Sequence, residues 1–443
     1  MTSIAVMPTS WIVRTSAAVA GVAALLLTPV PAHATRAGTV AVVDVAPDGT
    51  PGNGVIGGSD ISDDGRYVAF ASTSDNLVPG DVNAVTDIFL RDTRTGTTRL
   101  VSGGVAGQPA DDGAEFGAAI SGNGRYVVFT SYASNLVSGD TNNERDIFVY
   151  DSRTGVTTRA SVFAGDRQIS GASIGATISD DGRYVAFVVV AFTGTDDQGI
   201  PLYGQAAFVH DMRTGTTTRV SRQADGGTNL SVFQTAISGN GKRVVFSGFG
   251  DWIGDGGIGT GIFVHDLSSG ATVRANRPAT GDALPDATNP GISRDGTKVS
   301  WESYDPYVPA DTNDTGDIYV RDLLAGTTTL VTANRTATGA GNGYSSSGRL
   351  AAGGRYVAFY SSASDLVAHD ANGRSDVFVR DLATGRTTAV STTATGTTGN
   401  GDSFDATASA NGSRVVFVSA ATDLGADPRD GHRHLFVRCL RNC

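Results

Sequence analysis

The sequence predicts an all-β fold, a β-propeller of seven four-stranded blades, on three observations. One short phrase recurs seven times, each copy is followed by strand-like alternation, and the chain opens with a strand that its last repeat lacks. The phrase reads ISDDGRYVAF from Ile61, ISGNGRYVVF from Ile120, ISDDGRYVAF from Ile178, ISGNGKRVVF from Ile237, ISRDGTKVSW from Ile292, LAAGGRYVAF from Leu350 and ASANGSRVVF from Ala408, at a spacing of 55 to 59 residues. A repeat of that length is one supersecondary unit stacked on its neighbours, because no single copy can bury its apolar face alone.

Each copy carries its own fold instructions. Asp64 and Gly65, Asn123 and Gly124, Asp181 and Gly182, Asn240 and Gly241, Asp295 and Gly296, Gly353 and Gly354, and Asn411 and Gly412 form pairs that predict a two-residue hairpin turn with both central residues at positive φ. After the turn the residues alternate, as in Tyr126, Val127, Val128 and Phe129, and a second alternating run follows: DIFLRD from Asp87, DIFVYD from Asp146, AAFVHD from Ala206, GIFVHD from Gly261, DIYVRD from Asp317, DVFVRD from Asp376 and HLFVRC from His434. These period-two, β-branched and aromatic runs are strands. A second turn at Gly96, Gly155, Gly215, Gly270, Gly326 and Gly385 leads into threonine-rich runs such as TTRLVS and TTTRVS, which gives four strands per unit. No segment beyond the N-terminus keeps a helical period.

Four-stranded units repeated in one chain predict radial closure, which leaves only short, protected edges. The seventh copy reaches Cys443 without a fourth strand, while GTVAVVDV from Gly38 is a fourth strand with no preceding three. Gly38 lies 27 residues before Gly65, and the equivalent glycines lie 26 to 28 before the next copy's turn. The N-terminal strand is therefore expected to complete the last blade.

The phrase S-x-D-G-R-x-V-x-F followed by D-I-F-V-x-D resembles the WD40-like (PD40) repeats of TolB-type propellers, over about residues 38–443. The resemblance implies the propeller fold. TolB itself has six blades and an additional N-terminal α/β domain; this sequence has neither, so its partner contacts do not carry over.

Residues 1–34 read as a secretory signal peptide: Arg14, the apolar run from Ser16, then Ala32, His33 and Ala34 as a small-x-small cleavage site before Thr35. Residues 35–443 form the single propeller domain. No cysteine follows the site, which excludes a lipid anchor there, and no later segment has the roughly 20 apolar residues of a spanning helix. The expected product is extracellular and monomeric. The chain's net charge of −11 becomes about −12 once the leader and its single Arg are removed. Phosphate binding is dominated by Lys and Arg, so nucleic acid is not an expected partner. Only Lys242 and Lys298 among 33 basic residues are Lys, which points to a GC-rich Gram-positive source. Cys439 and Cys443 fit a small tail disulfide or two free thiols, and metal-knuckle spacing is absent.

Short turns on one face leave the long connections on the other, where binding usually lives. Counting eight residues back from each first-strand Ile or its equivalent gives Asn53, Asp112, Ser170, Asn229, Leu284, Asn342 and Asn400. Of these, Asn53, Asp112, Asn229, Asn342 and Asn400 are candidate ligand-binding residues around the channel mouth, with turn formation as the alternative role. Four long loops also contain D-x-N-x-x-x-D: Asp81, Asn83 and Asp87; Asp140, Asn142 and Asp146; Asp311, Asn313 and Asp317; Asp370, Asn372 and Asp376. Oxygen donors two residues apart on a turn are the beginning of a Ca²⁺ site, although the later Glu of an EF-hand is missing. The competing reading is an Asx-turn network without metal.

Catalytic motifs are sparse. G-x-S-x-G is absent. His210 and His265 occupy the strand position of Arg91 and Arg321, and Arg66, Arg125, Arg183 and Arg355 are expected to cover sheet surface. His432, His434 and Asp430 read as a disordered terminal loop. The functional expectation is a secreted, non-enzymatic scaffold whose loop face binds a protein or cell-envelope polymer, with no certain cofactor. The alternatives are a Ca²⁺-dependent propeller enzyme of lactonase, lyase or glycosidase type, using Asp112, Asp286 and Asp402, or a Ca²⁺-stabilised structural module.

Overall fold

A computed structural model describes residues 37–195, 201–222, 231–254, 259–278, 286–425, 430–441 and 443, so the leader lies outside the described residues. The architecture is all-β; the helical element among the described residues is a single 3-10 turn, Val105–Gly107. Repeat 1 forms a sheet from Ile56–Ile61, Tyr67–Ser72, Asp87–Asp92 and Thr97–Leu100, antiparallel throughout. Repeats 2, 5 and 6 build the same four-stranded sheet. Repeats 3 and 4 do so too, and a single parallel bridge from Gln205 to Ser231 joins their sheets. Repeat 3 departs from the others in its long middle strands, Tyr184–Thr195 and Pro201–Asp211.

Burial explains the composition of each strand. The second and third strands are packed on both faces, so Tyr67–Ser72 and Asp87–Asp92 are buried almost residue for residue. Fourth strands such as Thr97–Leu100 stand at the rim, and their alternating exposure accounts for the threonines. Within each sheet the phrase's final aromatic stacks on the aromatic of the third strand: Phe70 on Phe89 at 5.6 Å, Phe129 on Phe148 at 5.8 Å and Trp301 on Tyr319 at 5.9 Å. Neighbouring sheets then share cores, for example Ile88 and Leu90 with Val127 and Phe129.

The Asp-Gly turns differ from the two-residue form expected. Ser62 and Tyr67 close a loop of four residues, with the Gly65 amide donating to the Ser62 carbonyl. Only the glycine is left-handed (Gly65 φ 72°), because the Asp64 carboxylate accepts from both Ser62 Oγ and the Arg66 amide and holds Asp64 on the ordinary side of the map.

The same glycines also join the sheets. A Cβ on Gly124 would stand 2.4 Å from Tyr67 Cδ2, one on Gly182 2.0 Å from Tyr126 Cδ2 and one on Gly241 2.5 Å from Tyr184 Cδ2. Each repeat thus slides the residue after its turn beneath the next repeat's glycine. In the last step, Arg414 of repeat 7 lies under Gly65 of repeat 1 and donates to its carbonyl at 2.8 Å. A matching series of backbone bonds runs from turn to turn: Asp63 to Gly122, Asn123 to Asp180, Asp180 to Gly239, Asn240 to Arg294, Arg294 to Ala352 and Ala410 back to Asp63.

The N-terminal strand Val40–Val42 pairs antiparallel with His434–Cys439, in register Val40 to Arg438, and is the fourth strand of repeat 7's sheet. The terminal loop is ordered around His434, contrary to expectation. His434 is buried, with Nδ1 2.8 Å from Asp44 Oδ2 and Nε2 3.0 Å from Asp430 Oδ1, and Asp44 also accepts from the Leu435 amide at 2.8 Å. Cys439 and Cys443 form a disulfide.

Candidate functional site

The first strands of the repeats approach one another at the axis, where Asp60 accepts from the Ile120 amide at 3.0 Å and Thr407 Oγ1 donates to the Ser59 carbonyl at 3.1 Å. Every one of these strands carries a register shift, as between Ile56 and Ser59, Ser346 and Arg349, and Phe404 and Thr407. The extra residue bends the strand and re-aims its side chains. At Ser347 (φ 55°) and Asp405 (φ 58°) the bulge holds a residue other than glycine in the left-handed region, a strain typical of functional sites.

Two such bulges, in repeats 6 and 7, border a cleft of about 380 Å³ lined by Ser347, Tyr360, Ser375, Asp402, Phe404, Asp405 and Arg433. The Arg433 guanidinium lies over the Phe404 ring, 4.7 Å from its centroid. Arg349 Nη2 stands 3.7 Å from Asp405 Oδ1, and Arg374 Nη1 stands 3.9 Å from Asp402 Oδ2. The Ser375 amide donates to Asp402 at 3.2 Å and fixes that carboxylate. Three arginines thus meet two aspartates on a chain whose net charge is −11. Exposed aromatics stand on first strands or beside them: Phe116, Phe233, and Tyr344 stacked on Tyr304 at 5.9 Å. Further round the axis, buried Glu302 accepts from Asn289 and Ser346, each at 2.8 Å, and locks repeats 5 and 6 together.

The residues expected at the channel mouth have local partners. Asn53 Nδ2 donates to Asp75 at 2.7 Å, Asn342 Nδ2 to Ser364 at 3.0 Å and Asn400 Nδ2 to Thr422 at 2.9 Å, so each ties its inter-blade loop to the loop after the second strand. In repeat 2 that role belongs to Asp111, which binds Ser134, because the larger bulge there shifts the count by one; exposed Asp112 accepts from the Gly113 amide. Asn229 lies outside the described residues. Leu284, at the corresponding place in repeat 5, also lies outside the described residues; Asp286 aligns with Asp402 and accepts from the Thr260 amide at 3.0 Å, as Asp402 does from Ser375.

The D-x-N-x-x-x-D loops do bring their side chains together. Each Asn donates its amide to the next inter-blade loop: Asn83 to Ala110, Asn142 to Ile169, Asn313 to Gly341 and Asn372 to Gly399. The last Asp accepts from a hydroxyl two residues past the fourth strand, as Asp87 does from Ser102 and Asp376 from Ser391, both at 2.5 Å. Burial and the facing Asp87 push Asp81 up to about 6. Burial pushes Asp317 up to about 7; the Thr332 bond opposes it and the Asp311 charge adds to it.

On the short-turn face the repeated arginines form ion pairs instead of merely covering the sheet. Arg125 makes two bonds to Asp151, at 2.8 and 2.6 Å, and its guanidinium lies over Tyr126; this pairing holds Asp151 at about 2. Arg66, Arg183 and Arg355 repeat the geometry with Asp92, Asp211 and Asp381. His210 and His265 bond Thr217 and Thr272 as Arg91 bonds Thr98, so they are repeat variants.

The sequence reading found Asp402 but missed Arg349, Arg374, Phe404, Asp405 and Arg433. Their signal was departure from the repeat: Phe404 and Asp405 align with Ser346 and Ser347 in repeat 6 and with Gly57 and Gly58 in repeat 1, and Arg433 with Ser375 and Thr86.

No family model and no curated protein matches the chain. Among solved structures, the β-propeller domain of the Trilobed protease from Pyrococcus furiosus is similar with a TM-score of 0.53 at 11% identity, over 87% of this chain and 95% of that one. Oligogalacturonate lyase from Vibrio parahaemolyticus is similar with a TM-score of 0.53 at 12% identity, over 92% and 99%. Acylaminoacyl peptidase from Pyrococcus horikoshii gives 0.53 at 12% identity over 88% of this chain, which spans 52% of that one. These likenesses establish the β-propeller fold. A putative TolB from Agrobacterium tumefaciens matches with a TM-score of 0.38 at 17% identity, over 63% of this chain and 81% of that one. The expectation of a non-enzymatic scaffold is overturned here, because the propellers that this chain resembles belong to peptidases and a lyase.

Proposed function

We propose that this chain is an exported enzyme-type propeller that acts on an acidic oligosaccharide in the cleft between repeats 6 and 7. The observation that carries the reading is a cleft that brings Arg433 together with Asp402, Asp405 and the Phe404 ring, with Arg349 and Arg374 beside its two aspartates, in a strongly acidic chain. Arginines bind a sugar carboxylate, and the aromatic face covers the apolar side of a sugar ring. Next to them, an aspartate can remove the proton α to that carboxylate while the arginines stabilise the charge that develops. The carbon–oxygen bond one carbon further then breaks, a carbon–carbon double bond forms, and the departing oxygen takes back the proton. The reaction class is β-elimination, a lyase activity.

The scaffold in this reading is a closed ring of seven blades. It is supported by the turn-to-turn hydrogen bonds that return from Ala410 to Asp63, by Arg414 under Gly65, and by the N-terminal strand in repeat 7's sheet. Export is supported by the leader-like residues 1–34 and the disulfide, and no helix among the described residues is long and apolar enough to cross a membrane.

The test is incubation of the purified protein with oligogalacturonate, oligoalginate and oligoglucuronate, following the ultraviolet absorbance of the unsaturated product. One class should be converted, and Arg433→Ala should lower kcat by about 10²-fold. Neither turnover nor saturable binding of any acidic oligosaccharide overturns the reading.

A further inference from the structure

The four D-x-N-x-x-x-D loops share one backbone design but divide into two chemical kinds. In repeat 2 the space between the carboxylates is filled by donors. Gln168 Nε2 donates to Asp140 at 2.7 Å and to Asp146 at 3.0 Å, and Arg159 Nη1 lies 3.3 Å from Asp140 and 3.8 Å from Asp146. In repeat 6 the Asn372 amide donates to Asp376 Oδ2 at 2.6 Å and Thr398 Oγ1 to Asp370 at 3.2 Å.

Repeats 1 and 5 keep the Asn, as Asn83 beside Asp87 and Asn313 beside Asp317, but lack the donors that Gln168, Arg159 and Thr398 supply. The strand position of Arg159 is Leu100 in repeat 1 and Leu330 in repeat 5. The position 28 residues after the first Asp, Gln168 in repeat 2 and Thr398 in repeat 6, is Pro109 in repeat 1 and Gly339 in repeat 5, neither of which has a side-chain donor. Buried oxygens are left over as a result: Asp87 Oδ2 and Asn83 Oδ1 in repeat 1, Asp311 Oδ1 and Asp317 Oδ2 in repeat 5, all without a hydrogen-bond partner. Asp87 and Asp317 are only 1% and 0% exposed. A buried anionic oxygen short of donors and without a counter-ion is costly, and in both repeats that cost falls on Oδ2 of the loop's last aspartate.

We infer that repeats 1 and 5 each bind one hard divalent cation, Ca²⁺, between their paired aspartates, at the place that Arg159 and Gln168 fill from within the chain in repeat 2. The donors are all oxygen: Asp81, Asp87 and Asn83 in repeat 1, and Asp311 and Asp317 in repeat 5, with backbone carbonyls and water completing the shell. Among the described residues no three acidic, His or Cys side chains gather at one point, so these are two-carboxylate sites of modest affinity. The four aligned loops therefore yield two sites, not four.

Calorimetric titration of the EDTA-treated protein with Ca²⁺ should show two sites, and Asp81→Asn and Asp317→Asn should each remove one, halving the bound metal. Terbium in place of calcium resolves them: Tyr319 donates its hydroxyl to Asp311, so tyrosine-sensitised emission should disappear in Asp317→Asn and persist in Asp81→Asn. Leu330→Arg, which supplies the repeat 2 cation to repeat 5, should also abolish that emission while circular dichroism stays that of the parent. Failure of the parent to bind Ca²⁺ or Tb³⁺ at about millimolar concentration, with the aspartates sharing a proton instead, overturns the inference. So does binding that survives Asp81→Asn and Asp317→Asn combined.

Discussion

Gly182 and Gly215 have the same backbone conformation, φ 77° and 67°, and different surroundings. A Cβ on Gly182 would strike the Tyr126 ring at 2.0 Å, whereas one on Gly215 meets nothing within 4 Å. Gly215→Ala therefore meets left-handed strain alone, about 1 kcal/mol. Gly182→Ala adds the displacement of a packed ring, a further ~1 to 3 kcal/mol. Thermal melts of the two variants should rank Gly215→Ala above Gly182→Ala; equal melting temperatures would remove the sheet-to-sheet role given to the turn glycines. The sequence showed that a glycine follows Asp, Asn or Gly in each phrase, but only the neighbouring repeat reveals that the missing Cβ of Gly182 makes room for a tyrosine.

His434 and Asp44 latch the N-terminal strand to the last sheet. Burial alone would lower His434, but the hydrogen bonds and charges of Asp44 and Asp430 outweigh it and push His434 up to about 9. Burial pulls Asp44 upward, opposed by His434 and the Leu435 amide. A histidine raised on folding stabilises fully below its unfolded value near 6.5, and that contribution is lost as pH rises through about 9. The latch is worth at most about 3 kcal/mol, since the cost of burying Asp44 offsets part of it. Denaturant midpoints should fall between pH 6.5 and 9 in the parent, and His434→Gln should flatten that slope. A parent slope that survives in the variant assigns it elsewhere. Sequence alone showed a His-rich terminal loop; its partner Asp44 lies 390 residues away, beyond the reach of any local pattern.

At the scale of the molecule, the proposed ring depends on residues 39–45. They supply the strand Val40–Val42 opposite His434–Cys439, buried Val43 in the core shared by the first and last sheets, and Asp44 of the latch. Their deletion leaves an unpaired edge and opens that core, at a cost on the order of 5 kcal/mol. The truncated protein should melt more than about 5 °C below the parent. Unchanged melting would mean that the first and last sheets hold together without the strand.

The repeat determined the strands, their order and the four-stranded unit, because alternation and turn residues act within a few positions and were copied seven times. Tertiary structure decided the sites, because these arise where one repeat departs from the others and meets a neighbour. Phe404 and Asp405 look like minor variants of Ser346 and Ser347 until the bulge turns them toward Arg433 and Arg349. Leu100 and Leu330 are ordinary strand residues until their register with Arg159, together with Pro109 and Gly339 at the place of Gln168, shows which aspartate pairs lack both donors. Strand formation is local and survives averaging over copies, whereas charge and shape at a site depend on which side chains from distant repeats share the same few ångströms.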